Sequence, residues 1–310
     1  MSQPIHDDEP DTGEAVVRAL LAADLPHLAN APVEYLQTSG TDNAMWRVVV
    51  EGSSDLVVRL PRRSGAAGQL TREAAVMQQL RGSELADVVA VPAVVHVGDP
   101  QPAFGHPWAV YEWLDGDDAW SARDGLDLEQ LAVDISQTVA RMRHLRVSGV
   151  RQRRRGERGG PIEAVLERLD RWLTDPAWNA RALIDVDAVA AIAAQAVGLP
   201  DAEPVFVHGD LIPGNLLVLD GRLSAVIDWG GAGYGDPAQD LAPAWSVLDG
   251  PGRQIFRRLV EADDQAWIRG RTIELEHAVG AVLYYVPRGH QLGDVMERTL
   301  GRIIEDASGA

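Results

Sequence analysis

The chain contains no cysteine and no lysine; all 28 of its Lys+Arg residues are arginine. Without cysteine it can form no disulfide, thiol nucleophile or thiolate metal site. Without lysine it has no Schiff-base former, no lysine general base and no lysine phosphate ligand. Basic charge is scarce overall, and the formal net charge is −18 at pH 7. That balance disfavours nucleic acid as a partner, because phosphates need a basic face. An acidic cleft would suit a cationic substrate, although solubility or a genome-wide composition bias explains the charge more simply. Long apolar runs are missing too. The best candidate, Ala188 to Leu199, is too short to cross a bilayer. The start, Met1 to Pro10, is acidic and lacks the apolar core of a secretory signal. These absences predict a protein with no membrane partner and a cytoplasmic location.

What is present is enough for a large core. At 310 residues and 46% hydrophobic content, the chain predicts one two-lobed unit or two close-packed domains. The first part reads as mixed α and β. Helical spacing covers Glu14 to Ala29 and Gln69 to Arg81. Strand patterns cover Met45 to Val50, Leu56 to Leu60, Ala93 to Val97 and Trp108 to Trp113. The turn-rich stretch Leu114 to Asp118 predicts a hinge at about 111–118, dividing a lobe 1–113 from a lobe 114–310. Beyond it the pattern turns helical: Asp127 to Leu145, Ile162 to Leu173, Val186 to Val197, Ala238 to Leu248, Gly252 to Glu261, Gln265 to Val286 and Leu292 to Ala307. One charge block, Arg146 to Arg158, crowds arginines among glycines; such blocks are usually solvated loops, and a lid over phosphates is the alternative.

The chemistry concentrates in Val207-His208-Gly209-Asp210-Leu211-Ile212-Pro213-Gly214-Asn215, followed by Ile227-Asp228-Trp229. This supplies a carboxylate to accept a hydroxyl proton, and an amide oxygen and second carboxylate to hold Mg²⁺ on nucleotide phosphates. Two apolar runs, Leu216 to Leu219 and Leu223 to Ile227, flank Asp220-Gly221, a strong hairpin signal. A two-residue turn there sets Leu219 opposite Arg222 and Asn215 opposite Val226. Asp228 then shares a face with Asn215, diagonally placed at roughly 7–8 Å, a span that one cation bridges. A bulge in the hairpin would break this parity.

These motifs, with the strands before them, resemble the aminoglycoside phosphotransferase family, a branch of the protein-kinase-like fold that includes macrolide phosphotransferases and small-metabolite kinases. The likeness spans roughly Thr38 to Ala242 and is specific in His208 to Asn215, Asp228-Trp229 and Gly235 to Leu241. It implies an α+β bilobal protein-kinase-like fold, with a small mixed nucleotide-binding lobe and a mostly helical catalytic lobe. It also implies Asp210 as catalytic base and Asn215 and Asp228 as Mg²⁺ ligands, with His208 bracing the loop and Asp240 anchoring it. Ser39 and Gly40 fall where the family places its phosphate-covering loop. Arg59 stands where kinases carry their phosphate-binding lysine, with Glu73 as its partner. The nucleotide base would meet the Glu112 carbonyl and the Leu114 amide. Asp228-Trp229-Gly230 stands in place of Asp-Phe-Gly, and no activation segment follows, which speaks against a protein kinase.

The reaction so implied moves the γ-phosphoryl group of ATP or GTP to a hydroxyl of an aminoglycoside- or macrolide-like antibiotic. A kinase of a sugar or amino-alcohol metabolite, or a nucleotide-binding module without transfer, are the alternatives. For the acceptor, Glu274, Glu276, Asp263 and Asp264 could pair with amines, and Trp245, Trp267, Tyr284 and Tyr285 could form an apolar wall. Acids on a helix more often face solvent, however, and aromatics at helical spacing are more often core.

Overall fold

The computed structural model describes residues 9–37, 42–63, 70–153 and 160–309. The chain divides into two compact units: Met1–Ala86 with Ala90–Asp115, and Asp87–Val89 with Gly116–Ala310. The first is mixed α and β and the second mostly helical, the α+β bilobal architecture that the sequence predicts.

In the first unit, helix α1 (Glu14–Asp24) packs on an antiparallel sheet of β1 (Val33–Leu36), β2 (Asn43–Val48), β3 (Leu56–Pro61), β4 (Val94–Gly98) and β5 (Trp108–Glu112). The strand order is β1-β2-β3-β5-β4. Alternation decides what each face does. Ala44, Trp46 and Val48 of β2 and Val58 and Leu60 of β3 point towards Val16, Val17, Leu20 and Leu21 of α1 and form one buried cluster. Burying each large apolar side chain contributes about 1.5–3 kcal/mol. The same alternation puts Arg59, between Val58 and Leu60, on the opposite face of β3. Helix α2 (Leu70–Arg81) brings Glu73 to meet it.

In the second unit, α3 (Leu128–His144), α4 (Ile162–Thr174), α5 (Ala180–Leu183) and α6 (Val186–Ala194) precede the site, and α7 (Pro243–Ser246), α8 (Gly250–Leu259), α9 (Asp264–Tyr285) and α10 (Gln291–Ser308) follow it. Helix α9 is buried around most of its circumference and is the central helix of the unit. Between these groups, β6 (Asp117–Asp118), β8 (Leu216–Leu219) and β9 (Arg222–Val226) form a three-stranded sheet, and β7 (Val205–Val207) pairs with β10 (Gly233–Gly235). Aspartates supply the helix starts: Asp127, Asp185, Asp249 and Asp263 each accept a backbone N–H at a helix N-terminus.

Two expectations are corrected here. Ala238 to Leu248 is not one helix: a 3₁₀ turn, Pro237–Leu241, gives way to the short α7. Pro243 has no N–H to donate and crowds the preceding turn, so a continuous helix cannot pass through it. The hairpin also departs from its simple register. Asp220 and Gly221 both take positive φ, 51° and 75°, as a primed two-residue turn requires, and Leu219 faces Arg222. Between Leu217 and Val218, however, the register shifts. Val218 faces Leu223 but Leu217 faces Ala225, which leaves Ser224 as an extra residue. Asn215 therefore does not sit opposite Val226. The strand β1 and the β7/β10 pair were not anticipated, being short and, for β10, glycine-rich.

Candidate functional site

The site is built on the turn that leaves β7. The buried carboxylate of Asp240 accepts two backbone N–H groups, His208 N at 2.9 Å and Gly209 N at 2.8 Å. Gly209 takes φ +82°, and Gln239 Nε2 donates to its carbonyl at 2.9 Å. The His208 ring spans the gap to the next segment: Nε2 lies 3.0 Å from Ile227 O, and Nδ1 accepts from Asp210 N at 3.2 Å. A nitrogen that faces a carbonyl must carry hydrogen and one that faces an N–H must not, so this network assigns the neutral Nε2–H tautomer. Trp229 closes over the ring edge-on at 4.6 Å. The loop and the Ile227–Trp229 segment are thus tied together through one imidazole.

Asn215 closes the loop from its far end. Its Nδ2 donates to Asp210 O at 2.8 Å and to Asp210 Oδ2 at 3.1 Å. With the amide hydrogens turned to Asp210, Oδ1 is the ligand atom that Asn215 can offer. Its backbone carbonyl accepts Ile227 N at 3.0 Å, so Asp228 is one residue beyond a residue bonded to Asn215. Asp228 has left the strand by then, in the left-handed region with φ 61° and ψ 63°. For a non-glycine residue this conformation costs about 1–3 kcal/mol. Asp210, Asn215 and Asp228 are therefore brought together, but by the Ile227 hydrogen bond and the Asp228 turn, not by the strand alternation derived from an unbulged hairpin.

The donor set is one amide oxygen and one carboxylate. Among the described residues no group of three or more His, Asp or Glu side chains is placed to hold a metal by itself. This fits a hard cation such as Mg²⁺, which takes one or two protein oxygens and completes its shell with phosphate and water. It does not fit a structural metal cage.

Burial is the main influence on Asp240: it pushes the carboxyl above its ordinary value, against the opposing pull of the two backbone N–H groups and the Arg153 guanidinium. The 237–241 segment is seated against α9, where Gly270 is so close that a Cβ would lie 2.9 Å from Ala238 O. Asp236, at the start of that segment, accepts from Ala238 N at 2.8 Å and from Arg269 Nε at 2.8 Å.

In the first unit, Arg59 Nη1 reaches both oxygens of Glu73, at 2.7 and 2.9 Å, and both residues are buried. Glu112 ends β5 with its amide bonded to Ala93 O at 2.9 Å, and Trp113 N donates to Asp55 O at 2.9 Å. The Arg47 guanidinium lies 4.4 Å from the Trp113 ring centroid, so the chain is held on both sides just before Leu114. Ser39 and Gly40 lie outside the described residues.

The C-terminal residues considered for an acceptor are mostly committed elsewhere. Glu276 is buried and pairs with Arg168 Nε at 3.0 Å; Glu274 is buried beside His277. Neither faces solvent, contrary to expectation, because both lie on the central helix α9. Asp263 caps that helix and Asp264 pairs with Arg257. Trp245 and Trp267 are core, with ring centroids 4.7 Å apart and both Nε1 atoms bonded to Asp306. Tyr284 and Tyr285 stack edge-on at 4.8 Å. Two contributors to the site went unread in the sequence. Gln239 was inside a quoted motif and could have been singled out; Arg153 was visible only as one of a run of arginines.

Comparisons with known proteins place the chain in a family. The family model described as "Phosphotransferase enzyme family" matches residues 37–275. An aminoglycoside 3'-phosphotransferase from Escherichia coli is 41% identical over 58 residues, a match covering 19% of this chain and 21% of that relative's length. The GDP and kanamycin complex of APH(2")-IIia superposes with a TM-score of 0.70 at 19% identity, covering 94% of this chain and 98% of that one. Macrolide 2'-phosphotransferase MphH from Brachybacterium faecium superposes with a TM-score of 0.60 at 20% identity, covering 92% and 97%. At such identities these two likenesses are of fold. The family match spans most of the chain, including the loop, the hairpin and the segment that anchors them, and the chain belongs to the phosphotransferase enzyme family, on the aminoglycoside phosphotransferase branch of the protein-kinase-like fold.

Proposed function

We propose that this protein is a small-molecule kinase that transfers the γ-phosphoryl group of ATP or GTP to a hydroxyl of an aminoglycoside- or macrolide-like acceptor. The observation that carries the reading is the closed loop in which Asn215 donates to Asp210 while its own carbonyl holds Ile227, next to Asp228. In the proposed reaction the acceptor oxygen bonds to the γ-phosphorus as the bond to the β–γ bridging oxygen breaks. The hydroxyl proton passes to the Asp210 carboxylate and the nucleoside diphosphate leaves. Mg²⁺, held by Asn215 Oδ1 and Asp228, would neutralise charge on the phosphates. Arg59, braced by Glu73, would take phosphate oxygens, and the Glu112 carbonyl and Leu114 amide would take the base. Ser39 and Gly40 are proposed to contact the nucleotide phosphates. The ligands of structurally similar phosphotransferases support the nucleotide and acceptor classes: GDP and kanamycin in one complex, AMP-PNP and hygromycin B in another.

A metabolic kinase acting on a sugar or amino alcohol is the second reading. It is favoured by the burial of Glu274 and Glu276 and by the capping role of Asp263, which withdraw these acids from recognition of a polycation. The test incubates the protein with Mg²⁺ and ATP or GTP against aminoglycosides, macrolides and hydroxylated metabolites, and scores gain of one phosphoryl group by mass spectrometry. Asp210→Ala is expected to lower turnover at least 10³-fold (about 4 kcal/mol of transition-state stabilisation) while nucleotide binding persists. A variant that keeps substantial turnover would remove Asp210 from its role. Nucleotide binding by the wild type with neither transfer nor slow hydrolysis would leave a binding module.

A further inference from the structure

Among the described residues of the arginine-rich segment before α4, Arg153 enters the site. Arg153 N donates to Tyr234 O at 2.8 Å and Tyr234 N donates to Arg151 O at 3.2 Å, so this stretch runs alongside β10, bridged in parallel at Gln152 and Tyr234. That ladder fixes where the Arg153 side chain starts. From there it crosses Gly235, where a Cβ would lie 2.8 Å from Cδ and 3.3 Å from Nε. It ends against Gly209, where a Cβ would collide with Nη2. Nη2 donates to the carbonyl of Gly231. Gly209 and Gly235 are thus the open floor along which the guanidinium lies. Its two neighbours matter chemically: Gly209 precedes Asp210, and Gly231 follows Asp228 within one short turn.

We infer that Arg153 is a positioning residue that clips the Asp210 turn to the segment carrying Asp228, holding the proposed base and the proposed metal ligand in one frame. The inference rests on the phosphotransfer reading and adds to it a residue outside the motifs. An arginine suits the task because its planar fork can lie flat over one backbone segment while donating to another, which a lysine point charge does not reproduce. The clip acts in parallel with the His208 ring, which bonds Ile227 O, while the Asp240 carboxylate ties the same loop to the 237–241 segment. Arg153 also adds the smallest of the downward pulls on Asp240, which is faced by His208 from the same loop, by Arg143 from α3 and by the His208 and Gly209 amides. Removing the guanidinium raises the Asp240 carboxyl further, so the acidic limb of the rate profile moves to higher pH.

The test compares Arg153→Gln, Arg153→Lys and, as control, Arg151→Gln in the full chain. Amide hydrogen exchange over residues 208–215 and 229–235 is expected to accelerate at least tenfold in Arg153→Gln and to stay within twofold of wild type in the control. With a phosphoryl acceptor in hand, kcat of Arg153→Gln is expected to fall about 10–100-fold with the nucleotide KM changed less than about threefold. Arg153→Lys keeps the charge without the fork, so it is expected to return the acidic limb towards wild type while recovering only part of kcat. Should Arg153→Gln fail to fold, Arg153→Lys carries the exchange and kcat comparison alone. Unchanged exchange and unchanged kcat overturn the inference and leave the kinase reading intact. Accelerated exchange in Arg153→Gln, together with a wild type that transfers no phosphoryl group, supports the clip and sinks the kinase reading. Equal losses in Arg151→Gln overturn it as well, since the effect then belongs to the charge of the segment.

Discussion

At the scale of single residues, the buried groups that hold the site carry opposing demands. Arg59 and Glu73 are both taken out of water, so removing one partner strands the other. Glu73→Ala is expected to destabilise the protein by about 3–5 kcal/mol, and Arg59→Met with Glu73→Leu by much less, because the double change leaves no buried charge. Urea unfolding of the two variants makes the comparison; a single variant no worse than the double would show the pair to be dispensable to the fold. Asp240 makes a prediction in which activity and stability run against each other. Burial raises its carboxyl above 3.8, so the folded protein takes up this proton before the unfolded chain does. Stability from this group is therefore greatest below that value and declines as pH rises from 3.8 through the raised one. The loop needs the ionised form to accept two amides, so kcat should rise over the same interval. Stability against pH, wild type minus Asp240→Asn, should slope downward there; an upward slope would reverse the assigned shift. Asp210, Asn215 and Asp228 were legible from sequence because they are packed into short segments with recognisable spacing. Arg153 was not, since the ladder that delivers it joins residues 151–153 to Tyr234, and nothing local marks which arginine of the run is used.

At the scale of elements, the hairpin shows where local rules end. The turn and the first pairings follow from Asp220-Gly221 alone. The extra residue at Ser224 does not: its hydroxyl bonds back to Leu217 O at 3.1 Å, and Gly116 packs so closely on β8 that a Cβ would lie 2.7 Å from Val218 O. The bulge belongs to the sheet, with β6 alongside, and not to the hairpin sequence. A second non-local device seats the hairpin on α3. Asp134 accepts Arg222 Nε at 2.8 Å and Nη2 at 2.7 Å, Leu223 N at 3.2 Å and Gln130 Nε2 at 3.1 Å. Burial is the largest influence on Asp134 and acts upward, but these donors together hold the carboxyl below 3.8. Its stabilisation is thus present above that value and lost as pH falls through the lowered one. Asp134→Ala is expected to cost about 1–3 kcal/mol by leaving the buried Leu223 amide without its acceptor. The guanidinium adds little, since Arg222 is mostly exposed. Thermal unfolding of the variant at neutral pH and near pH 3 makes the check: the deficit should shrink on acidification, and a constant deficit would assign it to packing instead.

At the scale of the whole molecule, nucleotide and metal should appear as stability before they appear as catalysis. A ligand that binds only the folded protein stabilises it by about 2.7 kcal/mol at a hundredfold excess over Kd. Spread over a chain of 310 residues, that corresponds to a rise in Tm of roughly 4 °C. The chain has no cysteine to oxidise during heating, and all its basic residues are arginine, so the phosphate-binding part of this gain should fall on arginines, Arg59 first. Three variants then separate the proposed roles. Asp210→Ala should keep the full Mg²⁺·nucleotide increment, because the base acts on the acceptor and not on the donor. Asp228→Ala should keep a nucleotide increment but lose its dependence on Mg²⁺. Arg59→Ala should lose most of the increment with or without the metal, measured against its own lower starting Tm. A Mg²⁺-dependent shift surviving in Asp228→Ala would place the cation elsewhere, and no shift in the wild type with either ATP or GTP would remove the nucleotide and the kinase reading with it.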